Sequence, residues 1–203
     1  MENKKIAVFG DSILKGVITV PNSGRIFDVV ENDSLTHAQK DANNLPDVVI
    51  IEFGNNDCDY DWNAVSDATN FSEIFPKTPL NDFLENLDSM VKLCKENNIT
   101  PIIMTMPPLV GDRWFENVTK NLNKENIAKF LGENPGDKLS RNNEFYNLNI
   151  VEYAIKNDVK IADVRKLFLQ QDDYRKLMCL DGIHPNQDGY DLMAKFWIEF
   201  FEK

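Results

Sequence analysis

The chain has 203 residues, 42% of them hydrophobic and 27% charged. That balance excludes wholesale disorder, and at about 100–200 residues per domain it predicts a single domain over residues 1–203. Lysine and arginine number 22 against 33 aspartates and glutamates, so the net charge of −11 argues against nucleic acid and anionic membranes as partners, because both select a basic face.

The first apolar run, residues 6–9, reads as a strand and is too short for a signal peptide. Segments 16–20 and 25–30 flank Pro21-Asn22-Ser23-Gly24, strong turn chemistry, and are expected to form a β-hairpin. Residues 31–46 have room for one short helix, 34–43. A second strand is expected at 48–53. An amphipathic helix follows at 79–97, with Leu80, Phe83, Leu84, Leu87, Met90, Val91 and Cys94 spaced at threes and fours. A third strand is expected at 102–106. Residues 110–141 carry Trp114, Phe115, Phe130 and Leu131 among many polar residues. This insertion is either a lid or a surface excursion with its own satellite core. A helix at 144–156, a strand at 159–164 and a helix at 187–201 complete the chain.

The four strand runs are apolar without alternation and bounded by Gly, Pro or Asp, as strands buried on both faces of a parallel sheet are. Strands alternating with helices imply a layered α/β fold with right-handed crossovers. No run approaches about 18 apolar residues, so no membrane span is expected. Cys58, Cys94 and Cys179 are odd in number and lack C-x-x-C spacing. Neither a disulfide framework nor a zinc site is expected, and reduced thiols point to the cytoplasm.

The chain contains two histidines, His37 and His184. His37 lies in a polar stretch and reads as a solvated helix residue. His184 lies in Asp181-Gly182-Ile183-His184-Pro185, where a tight turn lets Asp181 reach back to Nδ1 and leave Nε2 free as a base. The alternative is a loop in which Asp181 caps the turn and the histidine is incidental. Gly10-Asp11-Ser12 follows the first strand, at the carboxyl edge where α/β sheets place ligands. The five-residue nucleophile elbow is not met, because Leu14 occupies its last position. Gly54-Asn55-Asn56-Asp57 ends the next strand, and an asparagine there can donate to a developing negative charge. Either segment could equally be simple turn chemistry. Asp57-Cys58-Asp59-Tyr60-Asp61 alternates carboxylates like a calcium loop, but Trp62 and Ala68 stand where that loop needs Gly and Glu.

Together these three segments resemble the conserved blocks of the SGNH (GDSL-type) hydrolases, in the same order and across nearly the whole chain. The resemblance implies a flavodoxin-like three-layer α/β/α sandwich with a mainly parallel sheet, here with four core strands and a small β-hairpin. It also implies a serine esterase that uses no metal and no cofactor. Carried over by position, Ser12 is the nucleophile, His184 the base and Asp181 its orienting partner. Asn56 and the Ser12 amide are the oxyanion donors. Asp11 is expected to satisfy turn amides, and Asp11, Trp114 and Phe115 are candidates for lining the substrate. Trp114 and Phe115 could equally pack the insertion.

The chain departs from the family between the hairpin and residue 47, where a helix, a strand and a glycine-bearing oxyanion loop look deleted. Without that strand the first one becomes a sheet edge. The 16–30 hairpin is expected to cover it, or two chains to pair there as a homodimer. The leading expectation is hydrolysis of small acyl esters, of a carbohydrate, a lipid or a thioester. The alternative is a catalytically compromised relative that binds a ligand or partner. A flavin or nucleotide domain is weakly supported, because the loop after the first strand lacks a glycine-rich phosphate cradle.

Overall fold

The computed structural model describes residues 4–20, 28–30 and 45–202. The expected helix at 34–43 and the apparent deletion around it lie outside the described residues. The central sheet contains β1 (Ile6–Gly10), β4 (Val48–Glu52), β5 (Thr100–Met104) and β6 (Lys160–Ala162) in that spatial order, all parallel. The register sets Gly10 beside Glu52 and Ile51 beside Ile103, so the carboxyl ends of β1, β4 and β5 line up.

Alternate residues of each strand feed two separate cores. Val49, Ile51 and Ile103 face one way, onto Phe83, Leu87 and Val91 of α2 (Leu80–Glu96) and Tyr146, Ile150 and Ala154 of α5 (Pro135–Lys156). Val48, Ile50, Ile102 and Met104 face the other way, onto Phe168 of α6 (Val164–Leu169) and Met193 of α7 (Gln187–Glu202). Apolar residues on both faces explain the unbroken runs of β4 and β5, whereas β1, expected to be buried likewise, is half-exposed at the sheet edge, with Ile6 and Phe9 among its exposed residues; the result is the expected three-layer α/β/α arrangement.

Two expectations need adjustment. The expected hairpin forms, β2 (Ile18–Val20) against β3 (Asp28–Val30), but as its own antiparallel pair. It adds no strand to β1, whose outer edge has no strand partner among the described residues. Helix α5 also begins well before residue 144, at Pro135. Its first turns point Leu139 and Asn143 inward, and the polar Asn143 on a buried face hid the periodicity.

The 110–141 segment forms α3 (Gly111–Thr119), α4 (Lys124–Leu131) and the start of α5. With α1 (Trp62–Asp67) it surrounds a third apolar cluster of Tyr60, Trp62, Val65, Leu109, Ile127, Leu131 and Leu139. Helices α3 and α5 meet where a Cβ on Gly111 would fall on the Gly136 carbonyl, so only glycine fits that crossing. Among the described residues no helix is long and apolar enough to cross a membrane.

Candidate active site

Three segments far apart in sequence converge at the carboxyl end of β1 and β4. Ser12 sits in the turn that leaves β1. Asp11 Oδ1 accepts the Ile13 amide at 3.1 Å, and the Ser12 carbonyl accepts the Val17 amide at 3.0 Å, so the serine stands on a hydrogen-bonded turn. Asp11 therefore satisfies a turn amide, as expected.

The histidine turn is built by Asp181, which is 2% exposed. Its Oδ1 accepts the amides of Ile183 at 3.0 Å and His184 at 3.1 Å, and its Oδ2 lies 2.7 Å from His184 Nδ1. Burial alone would raise the Asp181 carboxyl, but the His184 hydrogen bond, its charge and the two amides outweigh burial and hold it below the usual carboxylate range. Gly182 makes the turn possible with φ of +85°. The Asp181 contact places the imidazole proton on Nδ1 and leaves the Nε2 lone pair facing Ser12, whose Oγ is 2.8 Å away. Ser12, His184 and Asp181 thus form one continuous hydrogen-bonded line.

Asn56 follows β4. It donates from Nδ2 to Asp11 Oδ2 at 2.9 Å, which anchors the carboxamide beside the serine turn. A carboxamide nitrogen carries two hydrogens, so one remains for an incoming oxygen. Burial raises Asp11, opposed by the Ile13 amide, a hydrogen bond with Glu52 and the nearby His184.

The aromatic pair lies elsewhere. Trp114 donates to Asp59 Oδ1 at 3.3 Å and packs with Phe115 against the third core. Phe115 also lines an open groove of about 780 Å³ that runs from α3 to Leu180, next to Asp181 in sequence. The acidic run after Asn56 has structural work of its own. Asp59 accepts Lys77 at 3.1 Å and both indoles, and Asp61 caps α1.

Sequence reasoning missed Glu52, Asn55, Asn143, Arg165 and Arg113. Glu52 is fully buried at the end of β4. Its signal was a lone carboxyl inside the run Val48-Val49-Ile50-Ile51-Glu52-Phe53. Arg113 Nη1 donates to the carbonyls of Arg175, Met178 and Cys179 at 2.9, 3.0 and 3.2 Å, and the Val110 amide donates to the Gly182 carbonyl at 2.8 Å. The first turn of α3 therefore braces the histidine turn.

A parallel α/β sheet with a Ser-His-Asp line at its carboxyl edge defines the architecture of a serine hydrolase. The chain belongs to the GDSL-like lipase/acylhydrolase family, whose model matches residues 23–192. That match begins after Ser12, so the serine rests on the geometry above. The chain is 27% identical over 188 residues to a GDSL esterase/lipase, CPRD49, of Arabidopsis thaliana. It is 24% identical over 160 residues to a multidomain esterase of Ruminococcus flavefaciens. These alignments cover 91% and 77% of this chain but 63% and 16% of the relatives, so the chain spans less than two thirds of either. Among solved structures, a variant of an acetyl-xylooligosaccharide esterase from Geobacillus stearothermophilus shares the fold at a TM-score of 0.58 and 18% identity, over 97% of this chain and 93% of that one. A lipase/acylhydrolase from Enterococcus faecalis does so at 0.54 and 18%, over 97% and 94%.

Proposed function

We propose that this protein is a serine esterase that cleaves small acyl esters through an acyl-enzyme. The observation that carries the reading is the unbroken Ser12–His184–Asp181 line, with contacts of 2.8 and 2.7 Å. His184 Nε2 takes the Ser12 proton as Oγ attacks the acyl carbonyl. Asp181 stabilises the imidazolium that results. The free N–H of Asn56 and the Ser12 amide hold the oxyanion. Collapse expels the alcohol, which leaves with the proton from His184. Water then attacks the acyl-serine with His184 again as base, and the acid departs.

The groove from α3 to Leu180 is lined by Phe115, Asp112, Glu116 and Asn134 and by none of Ser12, Asn56 and His184, so no part of the substrate is assigned to it. An acetylated sugar is the first natural substrate to try, because an acetyl-xylooligosaccharide esterase shares the fold. The chemistry as proposed uses no cofactor in any step.

The test is hydrolysis of p-nitrophenyl acetate by the purified protein beside Ser12→Ala, together with labelling by a fluorophosphonate. Activity and label that both vanish in the variant support the reading. Equal rates for the two proteins, with no label on Ser12, overturn it.

A further inference from the structure

Behind the site runs a file of buried polar groups that the ester chemistry leaves unused. Arg165, Asn143, Asn55 and Glu52 are 6%, 1%, 4% and 0% exposed. Arg165 Nη1 donates to Asn143 Oδ1 at 2.9 Å, Asn143 Nδ2 donates to Asn55 Oδ1 at 2.9 Å, and Asn55 Nδ2 donates to Glu52 Oε1 at 3.2 Å. The other Glu52 oxygen is buried and meets no partner among the described residues, and the β1–β4 register sets Glu52 beside Gly10, the residue before Asp11. Two carboxyl groups can share a hydrogen bond only if one of them carries the proton.

The donors that reach each carboxyl decide which one does: two reach Asp11, only Asn55 reaches Glu52, and each donated bond favours the anion. Arg165 has donors only, so it turns the Asn143 oxygen toward itself and the Asn143 N–H groups toward Asn55. Asn55 must then present its oxygen to Asn143 and its N–H to Glu52. Every link donates toward the serine turn. The chain ends on Asp11, which already accepts from Ile13 and Asn56 and has no bond among the described residues in which it donates. Asp11 is the terminal acceptor, and Glu52 is the last donor.

We infer that Glu52 is a positioning residue, held as the neutral acid at the end of a one-way hydrogen-bond chain from Arg165, and that its proton fixes Asp11 so that Asn56 presents its free N–H to the oxyanion. The titratable groups around it fit this assignment. Asp11 after β1 and Asp57 after Asn56 both disfavour a charge on Glu52. Burial raises the Tyr190 phenol of α7, and a charge on Glu52 would raise it further. His184 faces Asp11 rather than Glu52 and favours the Asp11 anion. A fully buried carboxyl with no cation beside it is in any case driven to the neutral form.

The kinetic consequence rests on the esterase reading, but the proton and the Asn56 orientation do not, and they can be read separately. Infrared spectroscopy at neutral pH should show a protonated-carboxyl stretch that Glu52→Gln abolishes and Ser12→Ala retains. The carboxamide of Glu52→Gln would keep the direction of the chain, accepting from Asn55 and donating to Asp11, so the Asn56 side-chain amide signals in ¹⁵N spectra should hold their places in that variant. In Glu52→Leu they should move and exchange about ten-fold or more faster. Kinetically, Glu52→Gln should keep kcat within about three-fold, while Glu52→Leu loses about 10–100-fold in kcat with little change in KM. Absence of the infrared band, or Asn56 signals indifferent to Glu52→Leu, overturns the inference. A band and an Asn56 response as expected, in a protein without esterase activity, uphold the chain and strike only the esterase reading.

Discussion

Ser12 Oγ and His184 Nε2 meet at 2.8 Å although 172 positions separate them along the chain. Only the whole fold can set that distance, since β1 delivers the serine and the approach to α7 delivers the histidine. In the proposed mechanism the two act as one unit with Asp181, so their losses should not add. Ser12→Ala, His184→Ala and the double variant should fall to a common residual rate, and Asp181→Asn should lose about 10⁴ in kcat by allowing the wrong tautomer. Single-turnover kinetics on the four proteins checks this, and a double variant far slower than either single one contradicts it.

In the proposed chemistry Asn56 supplies one oxyanion donor from a side chain. Asn56→Ala should lower kcat by about 10²–10³ with KM almost unchanged, because the bond forms chiefly in the transition state. A rise in KM with kcat intact would instead make Asn56 a ground-state binding group.

Glu52 links ionisation to stability. Burial first, then the charge of Asp11, raises its folded-state pKa well above the usual value. In the unfolded chain it ionises in the ordinary range. The stability it contributes is complete below that range and is lost as pH rises toward the folded value. Asp181 has the opposite sign, contributing above the ordinary range and losing its contribution as pH falls through its lowered value, and it is common to both proteins. The Tm of Glu52→Gln minus that of the unsubstituted protein should therefore climb as pH rises above the ordinary glutamate range. A flat or falling difference in calorimetry refutes the assignment.

Gly182 holds φ at +85°, and a Cβ there would sit 2.5 Å from the Val110 carbonyl oxygen. Gly182→Ala should cost about 1–3 kcal/mol in urea unfolding from backbone strain, and activity should fall with it because Asp181 and His184 flank the turn. An active variant of undiminished stability would show that α3 yields easily.

Much of this was legible in the sequence, for definite reasons. Strands buried on both faces need apolar residues at every position, so the runs around Val49, Ile102 and Ile161 stood out. Gly10-Asp11-Ser12, Asn56 and Asp181 to His184 were legible through their joint resemblance to the family's blocks, since each alone reads equally as turn chemistry. What stayed hidden uses polar residues inside the protein. Asn143 interrupts the apolar face of α5, and Arg165 has the pattern of any surface arginine until its acceptors are seen. Glu52 falls inside the expected strand 48–53, where a lone carboxyl among apolar residues is its only mark. Hydrogen-bond direction is a property of pairs in space, and sequence spacing carries no trace of it.

The Arg113 clamp on the carbonyls of Arg175, Met178 and Cys179 has a consequence for exchange of parts between relatives. The front of the insertion belongs to the histidine turn and is not a separable module. A chimera that swaps residues beyond Thr119 leaves the clamp whole and should keep the serine within reach of its base. One joined ahead of Gly111 imports a foreign bracket and should misplace His184 even where every residue of the Ser12–His184–Asp181 line is retained. The seam for recombination therefore runs through the middle of the insertion, between α3 and α4.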